Sequence, residues 1–135
     1  MINKIDELLQ MPYWIIDILP KQVKENSPGQ YFKVEKYFLS SKHFQKIKQK
    51  HINFILKLNC YKDISINESE IINPLPEVIE KEMKDHYLYL MMDNAMILSE
   101  PDDTHLTLFN PNEELLELVK EISLSEGLYV WKPTI

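Results

Sequence analysis

Between Thr104 and Trp131 the chain carries boundary signals that leave little choice of local structure. Thr104-His-Leu-Thr-Leu-Phe109 is a β-prone run. Asn110 is placed to cap a helix, Pro111 suits a first helical position, and Glu113 can complete a capping box. Leu115, Leu118, Val119 and Ile122 then recur at helical spacing and make an apolar stripe. Gly127 offers the left-handed residue that ends many helices, and Leu128-Tyr-Val-Trp131 reads as a second strand. The pattern predicts strand, helix, strand, with the helix starting at Pro111 and ending within two residues of Gly127. A stripe of this kind is buried by laying it on a sheet, so the unit points to an α+β fold. Were strands 104–109 and 128–132 parallel neighbours, their crossover would be right-handed.

The rest of the chain adds elements to that unit. Residues 2–11 read as a short amphipathic helix with Ile5, Leu8 and Leu9 on one side, stopped by Pro12. Tyr13-Trp-Ile-Ile-Asp-Ile-Leu19 suits a strand covered on both faces. Residues 20–29 form an irregular connection whose Pro28-Gly29 pair favours a turn, and a connection of that length after a buried strand is a candidate binding loop. Tyr31, Val34 and Phe38 predict a helix over 30–39, with Phe32 and Tyr37 widening its face. Ser40 or Ser41 caps the next helix, read from 42 to 50 and followed by a strand from 52 to 60, because Ile52, Phe54, Leu56, Leu58 and Cys60 alternate. The competing reading there continues the helix on Phe44, Ile47, His51, Ile55 and Leu58. A short strand at 64–66, a helix opened by Pro74 and Pro76 with Leu75, Val78, Ile79 and Met83 on one face, and strands at 87–92 and 95–99 complete the reading. A single domain is expected, with a mixed, mostly antiparallel sheet of about five strands packed with roughly three to five helices.

Composition narrows the chemistry more than it names it. All fifteen basic residues are lysine, and Ala95 is the only alanine. Codon bias in an AT-rich genome, that of a low-GC bacterium or one of its mobile elements, accounts for this. Without arginine, the chain cannot make bidentate guanidinium contacts to phosphate, carboxylate or guanine. Cys60 is the single cysteine, so no internal disulfide forms, and Met1 to Leu9 lacks the apolar run of a secretory signal. Tyr87 to Met92 is the longest wholly apolar run and is far too short to span a bilayer. Together these lead us to expect a cytoplasmic protein that does not enter a membrane.

The formal net charge of −6 is unevenly spread. Residues 32–62 carry eight lysines against Glu35, a net of +7, whereas residues 63–135 carry four lysines against sixteen acids, a net of −12. Lys42, Lys46, Lys48 and Lys50 are the candidate partner-binding residues of the basic stretch, which also holds Lys33, Lys36, Tyr31, Tyr37 and Phe44. Lysines among aromatics can meet nucleic acid. The acidic balance and the absence of arginine favour an acidic protein surface instead, and duplex binding is not expected.

Candidate ligand-binding residues are Asp17, Asp102, Asp103 and His105. A carboxylate within a covered strand is costly unless hydrogen-bonded or at the strand's end, and the sequence favours the latter for Asp17. The Asp102/Asp103/His105 turn combines carboxylate and imidazole, which can move a proton or bind a metal, although acids are ordinary in a turn after Pro101. His43 and His51 fall about 80° apart on one helix, poor geometry for one metal, and His86 follows a helix end. No zinc set and no nucleophile motif is present, and Cys60 is expected to be an inert buried thiol. No catalytic residue, metal or cofactor is nominated. The reading is a non-enzymatic protein-interaction module, in the class of small regulators and immunity-type proteins. The alternative is a small enzyme or ligand-binding domain using Asp17, the 20–29 loop and the Asp102/Asp103/His105 turn. These differ in one observable: the alternative requires a single concave pocket on which those side chains converge.

Overall fold

The structure, a computed structural model, describes residues 3–24 and 29–134. Its elements in chain order are α1 (Lys4–Leu8), β1 (Tyr13–Asp17), α2 (Gln30–Leu39), α3 (Ser41–Asn59), β2 (Ser65–Ile66), α4 (Pro76–Asp85), β3 (Leu88–Met91), β4 (Met96–Ser99), β5 (Leu106–Phe109), α5 (Glu113–Ser125) and β6 (Tyr129–Trp131). The strands form one open sheet in the order β2-β3-β4-β5-β1-β6, and every paired neighbour is antiparallel. The fold is α+β, as the sequence indicated. No helix among the described residues is long and apolar enough to cross a membrane. The expected Pro28-Gly29 turn falls partly outside the described residues.

The strand–helix–strand unit is present with one difference. β5 and β6 run parallel but are not neighbours, because β1 lies between them and pairs with both. A helix roughly 10 Å across covers two strand spacings of about 4.8 Å, so β1 fits in the gap that the crossover leaves. The cap also sits two residues later than expected. Asn112, not Asn110, accepts the Leu115 amide at 2.8 Å, and Pro111 precedes the helix. Asn110 instead adopts a left-handed conformation with φ 58° and donates its side-chain amide to the Asn94 carbonyl at 2.8 Å. Gly127 ends α5 as expected, at φ 71°, with Leu128 N–H on Ser123 O and Gly127 N–H on Leu124 O.

Strand register separates two faces. Trp14, Ile16, Leu88, Leu90, Ile97, Leu106 and Leu108 share the face that packs with α3, α4 and α5 into the main core. The opposite face carries a smaller cluster of Met91, Met96 and Phe109 beneath Leu8 of α1. Ile15, Asp17 and Trp131 lie further along this second face.

The expected strand at 52–60 does not exist. α3 runs unbroken to Asn59, with Ile47, Ile52, Phe54, Ile55 and Leu58 buried. No glycine or proline interrupts residues 41–59, so an established helix has no local reason to stop. Burial of both Phe54 and Ile55 gives α3 a face wide enough to imitate strand alternation. Cys60 is consequently the C-cap of α3 and exposed, not buried among strand neighbours. Pro74 and Leu75 precede α4, and its buried face narrows to Ile79 and Met83, leaving Leu75 and Val78 exposed. α2 has no buried residue at all.

Candidate ligand-binding cleft

Asp17 closes β1. The pairing of Ile16 with Leu106, extended by one residue, sets Asp17 across from His105 on the second face of the sheet. Only 8% of Asp17 is exposed, and its Oδ1 accepts the Ile18 amide at 2.7 Å. Burial pushes its carboxyl above the usual carboxylate range, opposed by that amide and by the charge of His105.

The turn between β4 and β5 supplies the next groups, and α3 holds it from behind. Lys48, 4% exposed, donates from Nζ to Ser99 Oγ at 3.1 Å and to the Glu100 carbonyl at 3.0 Å. One helical turn on, the fully buried His51 places Nε2 at 3.2 Å from the Thr104 carbonyl. A carbonyl accepts only, so Nε2 carries the proton and Nδ1, which has no partner, is bare. Burial, reinforced by the nearby Lys48 charge, lowers His51 to about 3 and keeps it neutral. Burial likewise lowers Lys48 to about 8, against the pull of Asp103, Asp102 and Glu100. Both ends of the 100–104 turn are thus fixed to α3.

On this fixed turn Asp103 meets His105. Asp103 Oδ1 lies 2.8 Å from His105 Nδ1 and also accepts the His105 amide at 3.3 Å. Burial alone would lower His105, but the hydrogen bond and charge of Asp103, with Asp17 and Glu100 behind it, raise it above the usual imidazole range. Burial alone would raise Asp103, but His105 holds it below the usual range. Both shifts favour the imidazolium–carboxylate form of the pair, a couple that can hold or move a proton.

Around these groups lies a cleft of about 440 Å³. Asp17, Asp103, Thr104 and His105 form one wall with Ile15 and Trp131, and Tyr31, Phe32, Val34, Glu35 and Phe38 of α2 form the other. Ile18, Leu19, Gln22, Val23 and Lys24 line it from the segment after β1. That segment is tied down: Trp131 Nε1 donates to the Leu19 carbonyl at 3.2 Å, and Gln22 exchanges side-chain hydrogen bonds with the Thr134 backbone at 3.1 and 2.6 Å. Tyr31 donates its hydroxyl to Glu35 Oε2 at 3.1 Å across one turn of α2.

Of the four candidate ligand-binding residues, the cleft thus gathers Asp17, Asp103 and His105, together with residues of the 20–29 loop. Asp102 is exposed and lies outside its lining. Residues 25–28 of the loop fall outside the described residues. Of the candidate partner-binding lysines, Lys42 and Lys46 are exposed and Lys50 is half-buried, whereas Lys48 is buried and presents nothing to a partner. Lys48, His51, Tyr31, Glu35 and Trp131 were not nominated by sequence reasoning for these places. For Lys48 and His51 a signal existed: with the helix continued to residue 59, both fall on the stripe of Phe44, Ile47, Ile52 and Ile55. Among the described residues, no group of three or more His, Cys, Asp or Glu side chains is arranged to hold a metal ion. No family model matches this chain, and no curated protein or solved structure matches it.

Proposed function

We propose that this protein is a small-molecule-binding domain whose site is the cleft between α2 and the end of the β1–β5 pair. One observation carries the reading: Asp17, the Asp103–His105 couple and the segment after β1, remote in sequence, converge on a single concavity. Its volume falls within the range of roughly 300–1,000 Å³ typical of small-molecule pockets, and its lining is apolar and aromatic with a few placed polar groups. The couple gives such a site acid–base capacity, but no nucleophile beside it argues for a specific reaction, so binding is the function proposed. The test uses Trp131, which lines the cleft; the other tryptophan, Trp14, lies on the opposite face of the sheet. In a Trp14→Phe protein, fragments that enter the cleft should change Trp131 emission saturably. A fragment set that binds without affecting Trp131, or that fails to bind, refutes the site.

Protein binding is a second reading, supported by a different observation. Phe32 is 64% and Tyr37 55% exposed on α2, where Leu39 is exposed as well. Lys33, Lys36, Lys42 and Lys46 stand exposed around them. Apolar side chains ringed by lysines suit an acidic segment of a partner protein. Changing Tyr37 and Lys42 together to glutamate should then abolish capture of that partner while leaving the cleft's ligands bound.

A further inference from the structure

We infer that the cleft takes an organic ammonium ion on an aromatic or branched apolar body, with the ammonium group seated on Asp17. This rests on the cleft being the ligand site. Asp17 is a carboxylate with less than a tenth of its surface exposed and lines the cleft, and it shares the charge of His105 with Asp103, to which His105 is bound through Nδ1. A buried carboxylate that shares its cation with a second carboxylate is only partly compensated, and a ligand cation that donates hydrogen bonds to it relieves the remaining cost directly.

The rest of the lining agrees. Among the described lining residues carboxylates outnumber cations, with Asp17, Glu35 and Asp103 against Lys24 and His105, which disfavours an anionic ligand. Tyr31, Phe32, Phe38 and Trp131 bring aromatic rings to the same space. Ring faces attract ammonium groups and ring bodies accept an apolar skeleton, so one ligand class satisfies both parts of the wall. A neutral alcohol could donate one hydrogen bond to Asp17 but would bring no compensating charge. A carboxylic acid would bring a second anion to it.

The experiment is calorimetric titration of the unaltered protein with phenethylamine, phenethyl alcohol and hydrocinnamate, which share the ring and differ in the polar end. The amine should bind at least about tenfold tighter than the alcohol, the effect of one charge-assisted hydrogen bond, and hydrocinnamate should be weakest. Asp17→Asn should bring the amine down to the alcohol's affinity, and Tyr37→Ala, on the outward side of α2, should leave the series unchanged. If Asp17→Asn fails to fold, the ranking on the unaltered protein still decides. Alcohol or hydrocinnamate binding as tightly as the amine overturns the ammonium assignment while the cleft stands. Absence of binding by all three, together with no Trp131 response to any apolar fragment, overturns the cleft and the assignment together.

Discussion

His51 and His105 attach to the same turn, yet their surroundings drive them to opposite protonation states. His51 binds a carbonyl inside the core and is depressed to about 3, while His105 binds a carboxylate and is raised. The signs for stability are opposite too. A depressed histidine costs stability as pH falls from about 6.5, because the unfolded chain takes the proton first, at about 1.4 kcal/mol per pH unit. The raised His105 contributes stability that is fully present below about 6.5 and is lost as pH rises through its folded value. Ring resonances followed by NMR should therefore show His105 titrating above about 6.5 and His51 silent down to about pH 5. A His51 midpoint near 6, or His105 titrating below its ordinary value, contradicts this arrangement. Asp17 provides a second residue-scale expectation. Its raised pKa means that the ionised form is less stable in the fold than in the unfolded chain, a cost present above about pH 3.8. Asp17→Asn should leave the neutral-pH urea midpoint unchanged or raise stability by up to about 1 kcal/mol. A loss larger than that would assign Asp17 to holding the fold.

At the scale of elements, α5 is the best test of local stop signals. Gly127→Ala forces a side chain into a left-handed conformation and should cost about 1–2 kcal/mol. Among the described residues the close neighbour of the added carbon is Lys50 Nζ at 3.2 Å, the movable end of a flexible chain, so the backbone conformation dominates the cost. Asn112→Ala removes the observed cap and should cost about 0.5–2 kcal/mol, whereas Asn110→Ala leaves that cap intact. Equal unfolding midpoints for Asn112→Ala and the native chain would place the cap elsewhere. Leu118 is only half-buried, so Leu118→Ala should fall below the ~2–5 kcal/mol expected for the fully buried Ile55→Ala. These differences mark what was legible. Gly127 and the stripe of Leu115, Val119 and Ile122 are local signals, and local signals located α5. The Asn-Pro-Asn run offers two capping residues, and the choice fell to Asn112 because Asn110 was drawn to the Asn94 carbonyl, a contact no local pattern encodes. α3 was misread for a related reason: Ile52, Phe54, Leu56 and Leu58 satisfy strand alternation until the neighbours that bury Phe54 and Ile55 are known.

For the whole molecule, folding interleaves charges that look segregated along the chain. Lys57 pairs with Glu126 at 2.6 Å and Lys62 with Glu114 at 3.4 Å, and Lys48 is buried near the acidic 100–103 turn. Lys33, Lys36, Lys42 and Lys46 remain exposed, but four lysines on a molecule of net charge −6 neutralise few phosphates, so duplex DNA should not bind usefully near physiological salt, where screening acts over about 8 Å. Submicromolar binding of random duplex, lost on changing Lys42 and Lys46 to Glu, would reverse that view. The cleft was legible only as separate parts. Asp17 announced itself as an acid in an apolar strand, and Asp103 and His105 as a compact turn. Their meeting depends on β1 inserting beside β5, a pairing between residues about ninety apart in sequence that no local pattern specifies. The most direct check on that convergence is where ligands land. With isotope-labelled protein and an ammonium-bearing aromatic fragment, NMR shift changes should concentrate on Asp17, His105, Tyr31 and the Trp131 indole. Changes centred on Tyr37 and Lys42, or scattered with no focus at the β1–β5 end, would contradict the account.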